Sequence, residues 1–169
     1  MAVSGGVVLV LAGLFLGWVF LQFLRFERAS RPVLDVGEYE RVLGEWKEFA
    51  GDIVWHFPEA VPGDAEDAGF YYWPGLYQSD ARIELRVRVG AEEMEQYYEA
   101  FSGRATKLVR GAALTHFVRG RGEVDVVEPG DDYVVMHFDA EAEDIAEHGK
   151  QHGVIMSREK KEIIFWAEW

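Results

Sequence analysis

From Val7 to Leu24 the chain reads VVLVLAGLFLGWVFLQFL, 18 residues without one charged side chain. At about 1.5 Å per residue, a helix of that length covers roughly 27 Å, close to the hydrocarbon thickness of one bilayer. The expected organisation is therefore a short tail (residues 1–6), a single transmembrane anchor (7–28), a linker (29–37) and one folded domain (38–169). A cleaved signal peptide is the main alternative, but it would begin with Lys or Arg and end at a small-x-small site. Met1–Gly6 carries no basic side chain, and Ser30, the best candidate site, has Arg28 two positions before it. A helix buried in a protein core is the other alternative, and no polar face argues for it.

Arg25, Arg28 and Arg31 follow the apolar run and no basic residue precedes it. The positive-inside tendency then puts the domain on the cytoplasmic side, with the extracytoplasmic side as the alternative because Glu27 offsets part of that charge. Gly13 and Gly17 have GxxxG spacing, which puts two glycines on one helix face and lets a second helix approach. A homodimer through that face is one expectation; the general frequency of glycine in membrane helices is the competing explanation.

Charge decides what the domain avoids. Residues 32–169 hold 14 of the 17 Lys and Arg and 29 of the 30 Asp and Glu, a net charge of −15. Such a body repels phosphate backbones and anionic headgroups, which argues against a nucleic-acid partner. With 49% hydrophobic and 14% aromatic residues there is ample material for a core, so the acidity belongs to the surface of a folded domain. The chain has no cysteine, which removes disulfides, thiolate metal sites and thiol nucleophiles.

Beyond Pro32 the pattern is mixed. Glu38–Phe49 places Tyr39, Val42, Leu43, Trp46 and Phe49 at helical spacing, with Asp35 as a cap nearby. Asp52–Phe57 is β-branched and aromatic and reads as a short strand halted by Pro58; a polar loop (59–68) and a second short strand, Gly69–Trp73, follow. In Arg82–Val89, Ile83, Leu85, Val87 and Val89 alternate with Arg82, Glu84, Arg86 and Arg88, as in a strand with one apolar and one charged face. Ala91–Ser102 has acids in its first turn and Met94, Tyr97, Tyr98 and Phe101 on one side, a surface helix. A hairpin is expected from Leu114–Val118 and Glu123–Val127, a strand at Tyr133–Phe138, a short acidic helix at Asp139–Glu147, and a terminal hairpin across Gly153–Trp169. Strands with a few interleaved helices and no regular βαβ rhythm indicate an α+β fold, a mostly antiparallel sheet with two or three packed helices.

No residue pattern amounts to a catalytic or cofactor motif, so no catalytic residue and no cofactor is assigned. Gly120-Arg121-Gly122 lacks the third glycine of a phosphate loop, and Ser79-Asp80 lacks the GxSxG elbow of a serine hydrolase. His148 and His152 are four apart beside Asp144 and other acids, a spacing that could hold zinc on an unbroken helix. Gly149 interrupts that helix, and a solvated acidic turn is the alternative. Arg82, Arg86 and Arg88 form a basic stripe that acidic residues on a neighbouring strand would neutralise. His56, His116 and His137 sit in apolar contexts that suit packed, hydrogen-bonded imidazoles. The aromatic run Phe70–Tyr77 offers Tyr71, Trp73 and Tyr77 as a surface for a protein partner, unless both of its faces are covered.

His56-Phe57-Pro58, Phe70-Tyr71-Tyr72 with Pro74-Gly75 and Gln78, Leu85-Arg86, and the terminal Gly153-Val154 and Glu162–Glu168 together resemble a pattern shared by uncharacterised bacterial membrane-anchored or exported proteins. The chain departs from that pattern at Ser79, where a glycine is expected. The resemblance implies an anchored or exported domain and transfers no catalytic residue. The expected function is a non-catalytic binding or assembly module at a membrane. The alternatives are a metal-dependent or hydrolytic enzyme built on His148, His152 and nearby carboxylates, and an oligomerising membrane component working through Gly13 and Gly17.

Overall fold

The computed structural model describes residues 3–29, 31–75, 81–110, 132–138 and 150–169; within the first helix it describes the side chains of 11, 13–24 and 26. The chain divides at Arg31/Pro32 into two units. The first is a helix, α1 (Val3–Ala29), as the run of Leu, Val, Phe and Ala favours. Leu14, Phe15, Leu16, Trp18, Val19, Phe20, Leu21 and Phe23 are all exposed, so its apolar surface runs round the helix and forms no single stripe. Among the described residues no helix is long and apolar enough to cross a membrane; residues 13–24, the longest stretch with described side chains, cover only roughly 18 Å. The helix forms where hydropathy puts it, and its crossing of a bilayer is not shown.

The second unit is α+β. A short 3₁₀ turn (Val36–Glu38) opens it, and Asp35 accepts a hydrogen bond from the Gly37 N–H at 2.9 Å. Helix α2 (Tyr39–Val54) then buries Tyr39, Val42, Leu43, Trp46, Ala50, Ile53 and Val54, a stripe at i, i+3, i+4 spacing. Each large apolar side chain on it contributes roughly 1.5–3 kcal/mol by leaving water. The strand expected at Asp52–Phe57 is not formed. Ile53 and Val54 continue the buried stripe of α2, and that burial outweighs their β propensity. A non-helical Ala50 (φ −136°, ψ 31°) kinks the helix. Phe49, expected in the core, stands 52% exposed just before the kink.

Six strands form one sheet in the order β1-β2-β6-β5-β4-β3, each neighbouring pair antiparallel. They are β1 (Glu66–Trp73), β2 (Arg82–Arg88), β3 (Lys107–Arg110), β4 (Tyr133–His137), β5 (Gln151–Ser157) and β6 (Glu162–Glu168). The first strand begins earlier than expected, across an irregularity between Glu66 and Gly69 where Asp67 takes φ 56°. The charged edge strand β3 was not anticipated: four residues, Lys-Leu-Val-Arg, carry too little pattern. Helix α3 (Ala91–Ser102) falls where expected, with Met94 and Phe101 buried and Tyr97 and Tyr98 half-buried.

Helices α2 and α3 pack on one face of the sheet, against Phe70, Ile83, Leu85, Val87, Val154, Met156, Ile163 and Phe165. The other face holds a second apolar group of Tyr133, Val135, Ile155, Ile164 and Trp166. On that face Glu84 is buried beside the expected charged side of β2, so alternation there does not mean alternation between core and water. The hairpin expected around residues 119–122 and the helix at 139–147 lie outside the described residues.

Candidate functional site

The strands run antiparallel, so each end of the sheet collects residues distant in sequence. At one end Trp73 pairs with Arg82, Arg82 with Glu168 and Glu168 with Gln151. Just past them, Ala81 and Trp169 exchange both backbone hydrogen bonds, at 2.7 and 2.9 Å. Val33 exchanges both of its bonds with Tyr72 at 2.9 Å, so the chain enters the domain at this same end. Trp169 is 40% exposed and Phe49 lies against it, ring centroids 5.3 Å apart. The Lys150 ammonium stands 4.1 Å over the Trp169 ring and 3.2 Å from an Asp52 carboxylate oxygen. Leu34, 38% exposed, follows Val33. This entry end is thus an aromatic and aliphatic surface flanked by the ion pairs Lys150–Asp52 and Arg82–Glu168.

Beneath it sits a pair of imidazoles. The turn after α2 buries His56 among Phe57, Phe138 and Phe165, and its ring lies 5.4 Å from that of His152 on β5. His56 Nε2 donates to the Trp166 carbonyl at 3.2 Å; a carbonyl only accepts, so the proton is on Nε2. His152 Nε2 instead accepts from the Trp55 indole at 3.3 Å, which puts its proton on Nδ1. Burial first, and the neighbouring His152 second, push the His56 pKa down to about 3. His56 is therefore a neutral packing group at ordinary pH. Trp55 itself is 40% exposed and carries Arg104 over its ring at 4.9 Å.

The residues singled out from sequence do not converge on this surface. Tyr71 is 5% exposed, which removes it as a free docking side chain, and Trp73 is half-buried. Tyr77, His148, Asp144 and His116 lie outside the described residues. His152 is buried on a strand, so the solvated turn and the helical pair with His148 are both corrected at that position. Among the described residues no three His, Cys, Asp or Glu side chains are grouped to hold a metal ion. No family model, curated protein or solved structure matches this chain. The resemblance drawn from the sequence thus gains no support.

The basic stripe is neutralised. Arg82 pairs with Glu84 and, at 3.6 Å, with Glu168; Arg86 Nε donates to Glu162 at 2.6 Å; Arg88 stands 3.7 Å from Asp67. Tyr133 donates its hydroxyl to the same Glu162 at 2.5 Å. Apart from Arg82–Glu84, which lies within β2, these are the cross-strand charge pairs expected of such a stripe, and together they take those arginines out of contention as an anion groove. Phe49, Trp169 and Lys150 were missed as a group because nothing local in the sequence links them; only the terminal strand's pairing with Ala81 brings residue 169 to residue 49.

Proposed function

We propose that the chain is a membrane-anchored, non-catalytic binding module, with residues 7–24 held in the bilayer and the acidic α+β domain displayed at its surface. The observation that carries this reading is the continuous 27-residue helix α1, whose described side chains expose large apolar groups on every side. Water does not tolerate such a surface uncovered, and an apolar patch of this size marks a contact with lipid or protein. The anchor also raises the local concentration of the domain at its target, so weak contacts suffice for function.

The first test is fractionation of the full chain. It should stay with membranes through high-salt and alkaline washes and leave them only in detergent; recovery in the soluble fraction after gentle lysis would sink the proposal. Arg25, Arg28 and Arg31 favour a cytoplasmic domain. Because the chain is free of cysteine, one thiol placed at exposed Glu66 reports the side directly. A membrane-impermeant thiol reagent should label Glu66→Cys in permeabilised cells and spare it in intact ones.

The homodimer belongs to the same proposal. A Cβ at Gly13 or Gly17 would meet nothing within 4 Å, so their shared face is open to the close approach of a second helix. Replacing both by Leu should abolish crosslinked dimers in membranes, and dimers that persist would remove this element.

A further inference from the structure

We propose that the entry end of the sheet, formed by Leu34, Phe49 and Trp169 with Lys150, is a lipid-contact surface that rests at the headgroup boundary of the bilayer. This rests on the anchoring reading above and adds to it the part of the domain that meets lipid.

Four observations converge. The domain exposes five large hydrophobic side chains among its described residues, Leu34, Phe49, Trp55, Leu108 and Trp169. Three of these lie at the entry end: Phe49 packs tilted against Trp169, and Leu34 follows the Val33–Tyr72 bridge. Second, the chain itself ties this end to the apolar run. Residues 25–32 separate Leu24 from Val33, so the apolar run and the entry end are eight residues apart in sequence. Third, the side-chain types are those that settle at a membrane interface: an indole, a phenyl and an aliphatic group, with a lysine whose stem covers apolar surface while its head stays wet. Fourth, both ends carry ion pairs, Lys150 with Asp52 and Arg82 with Glu168 at the entry end, but among the described residues the opposite end exposes no large hydrophobic side chain beside its own. Arg88 with Asp67, Arg158 with Glu95 and Lys160 with Asp132 occupy it.

The electrostatics select the kind of lipid surface. A domain of net charge −15 is repelled by anionic headgroups, and Lys150 already has Asp52 at 3.2 Å. Apolar area therefore supplies the attraction. The contact should form on zwitterionic phosphatidylcholine, persist in high salt, and weaken as anionic lipid is added.

The test uses the full chain reconstituted in phosphatidylcholine vesicles, with an environment-sensitive fluorophore on one introduced thiol. Gly51→Cys places it two residues after Phe49 and next to Asp52, at a site where a Cβ meets nothing within 4 Å, and Glu159→Cys places it in the exposed β5–β6 turn at the opposite end. Brominated lipid should quench the probe at position 51 and spare the one at 159. Adding Phe49→Ala and Trp169→Ala should abolish that quenching while the protein still sediments with the vesicles. Sedimentation without quenching at position 51 would overturn the contact surface and leave the anchor standing. Failure to enter vesicles at all would overturn the anchoring reading and the contact with it. A blue shift at position 51 that brominated lipid does not quench would mean that a second copy covers the patch, which also overturns the lipid assignment.

Discussion

The two ends of the same six strands are finished in different ways. At the far end, water-facing side chains neutralise one another: Arg158 Nε reaches Glu95 at 2.7 Å and its guanidinium lies 4.8 Å over Tyr98, while Lys160 lies 3.7 Å from Asp132 and 4.5 Å over Tyr133. At the entry end, Phe49, Trp169 and Leu34 stand partly in water beside the pairs Lys150–Asp52 and Arg82–Glu168. Exposed ion pairs add little stability, and exposed aromatics add none until something covers them. A domain needs neither finish in order to fold.

The contrast depends on a rigid platform beneath both ends, and the largest expected effect comes from disturbing it. Gly153 pairs with His137 on one side and Trp166 on the other. A Cβ there would collide with the Met136 carbonyl oxygen and come within 3.2 Å of Trp166 Cζ2. Gly153→Val should therefore cost about 3 kcal/mol or more, since a backbone atom cannot yield as a side chain does. The fall in the urea midpoint of the folded domain, followed by circular dichroism, measures it.

At the far end, Glu162 holds both Arg86 and Tyr133 from a buried position. Glu162→Gln leaves the Arg86 guanidinium without its counter-charge and should cost about 2–3 kcal/mol. Arg158→Ala, at a fully exposed pair, should leave the midpoint where it was. A reversal of that order would show that the far end is held by its surface charges after all.

Acid should act on the imidazole pair under the entry end. Folding lowers the His56 pKa from 6.5 to about 3, so between those values the unfolded chain binds a proton that the folded one refuses. Its contribution is fully present above pH 6.5 and is lost as pH falls toward 3. Between pH 7.5 and pH 5 this amounts to about 2 kcal/mol. His56→Gln keeps a donor for the Trp166 carbonyl and should flatten that part of the profile. An unchanged slope would mean that other groups carry the acid sensitivity.

How much of this was legible in advance varies with the range of the interactions. Helix α3 could be read to the residue because its signals are local: Glu92 and Glu93 in the first turn, and Met94 and Phe101 on one face. Strand β2 could be read from strict alternation, and the β5–β6 hairpin from two apolar runs about a charged turn. The second half of α2 could not, since Ile53 and Val54 look like strand until the stripe they complete is seen. The candidate site was the least legible part. The aromatic run at Tyr71 and Trp73 draws attention as a cluster in sequence, yet it is packed or half-packed in the sheet. Phe49 and Trp169 sit at unremarkable positions and meet only through the kink at Ala50 and the pairing of Trp169 with Ala81.

The smallest expected effect is the sharpest test of the contrast between the ends. Phe49 and Trp169 keep roughly half of their surfaces in water and bury part of the rest against each other, so Phe49→Ala and Trp169→Ala together remove partly buried area and no buried hydrogen bond. The change in unfolding free energy should be about 1–2 kcal/mol, below that of Gly153→Val. Trp169 holds Ala81 through its backbone, which alanine retains, so the sheet end should close as before. A midpoint that fell as far as with Gly153→Val would make these rings part of the core. Exposure would then have overstated their freedom, and the entry end would be a structural cap like any other. A midpoint that fell no further than that, with lipid quenching at position 51 gone, would separate the two duties: the strands keep the domain folded, and the rings on their end add little until they meet a surface.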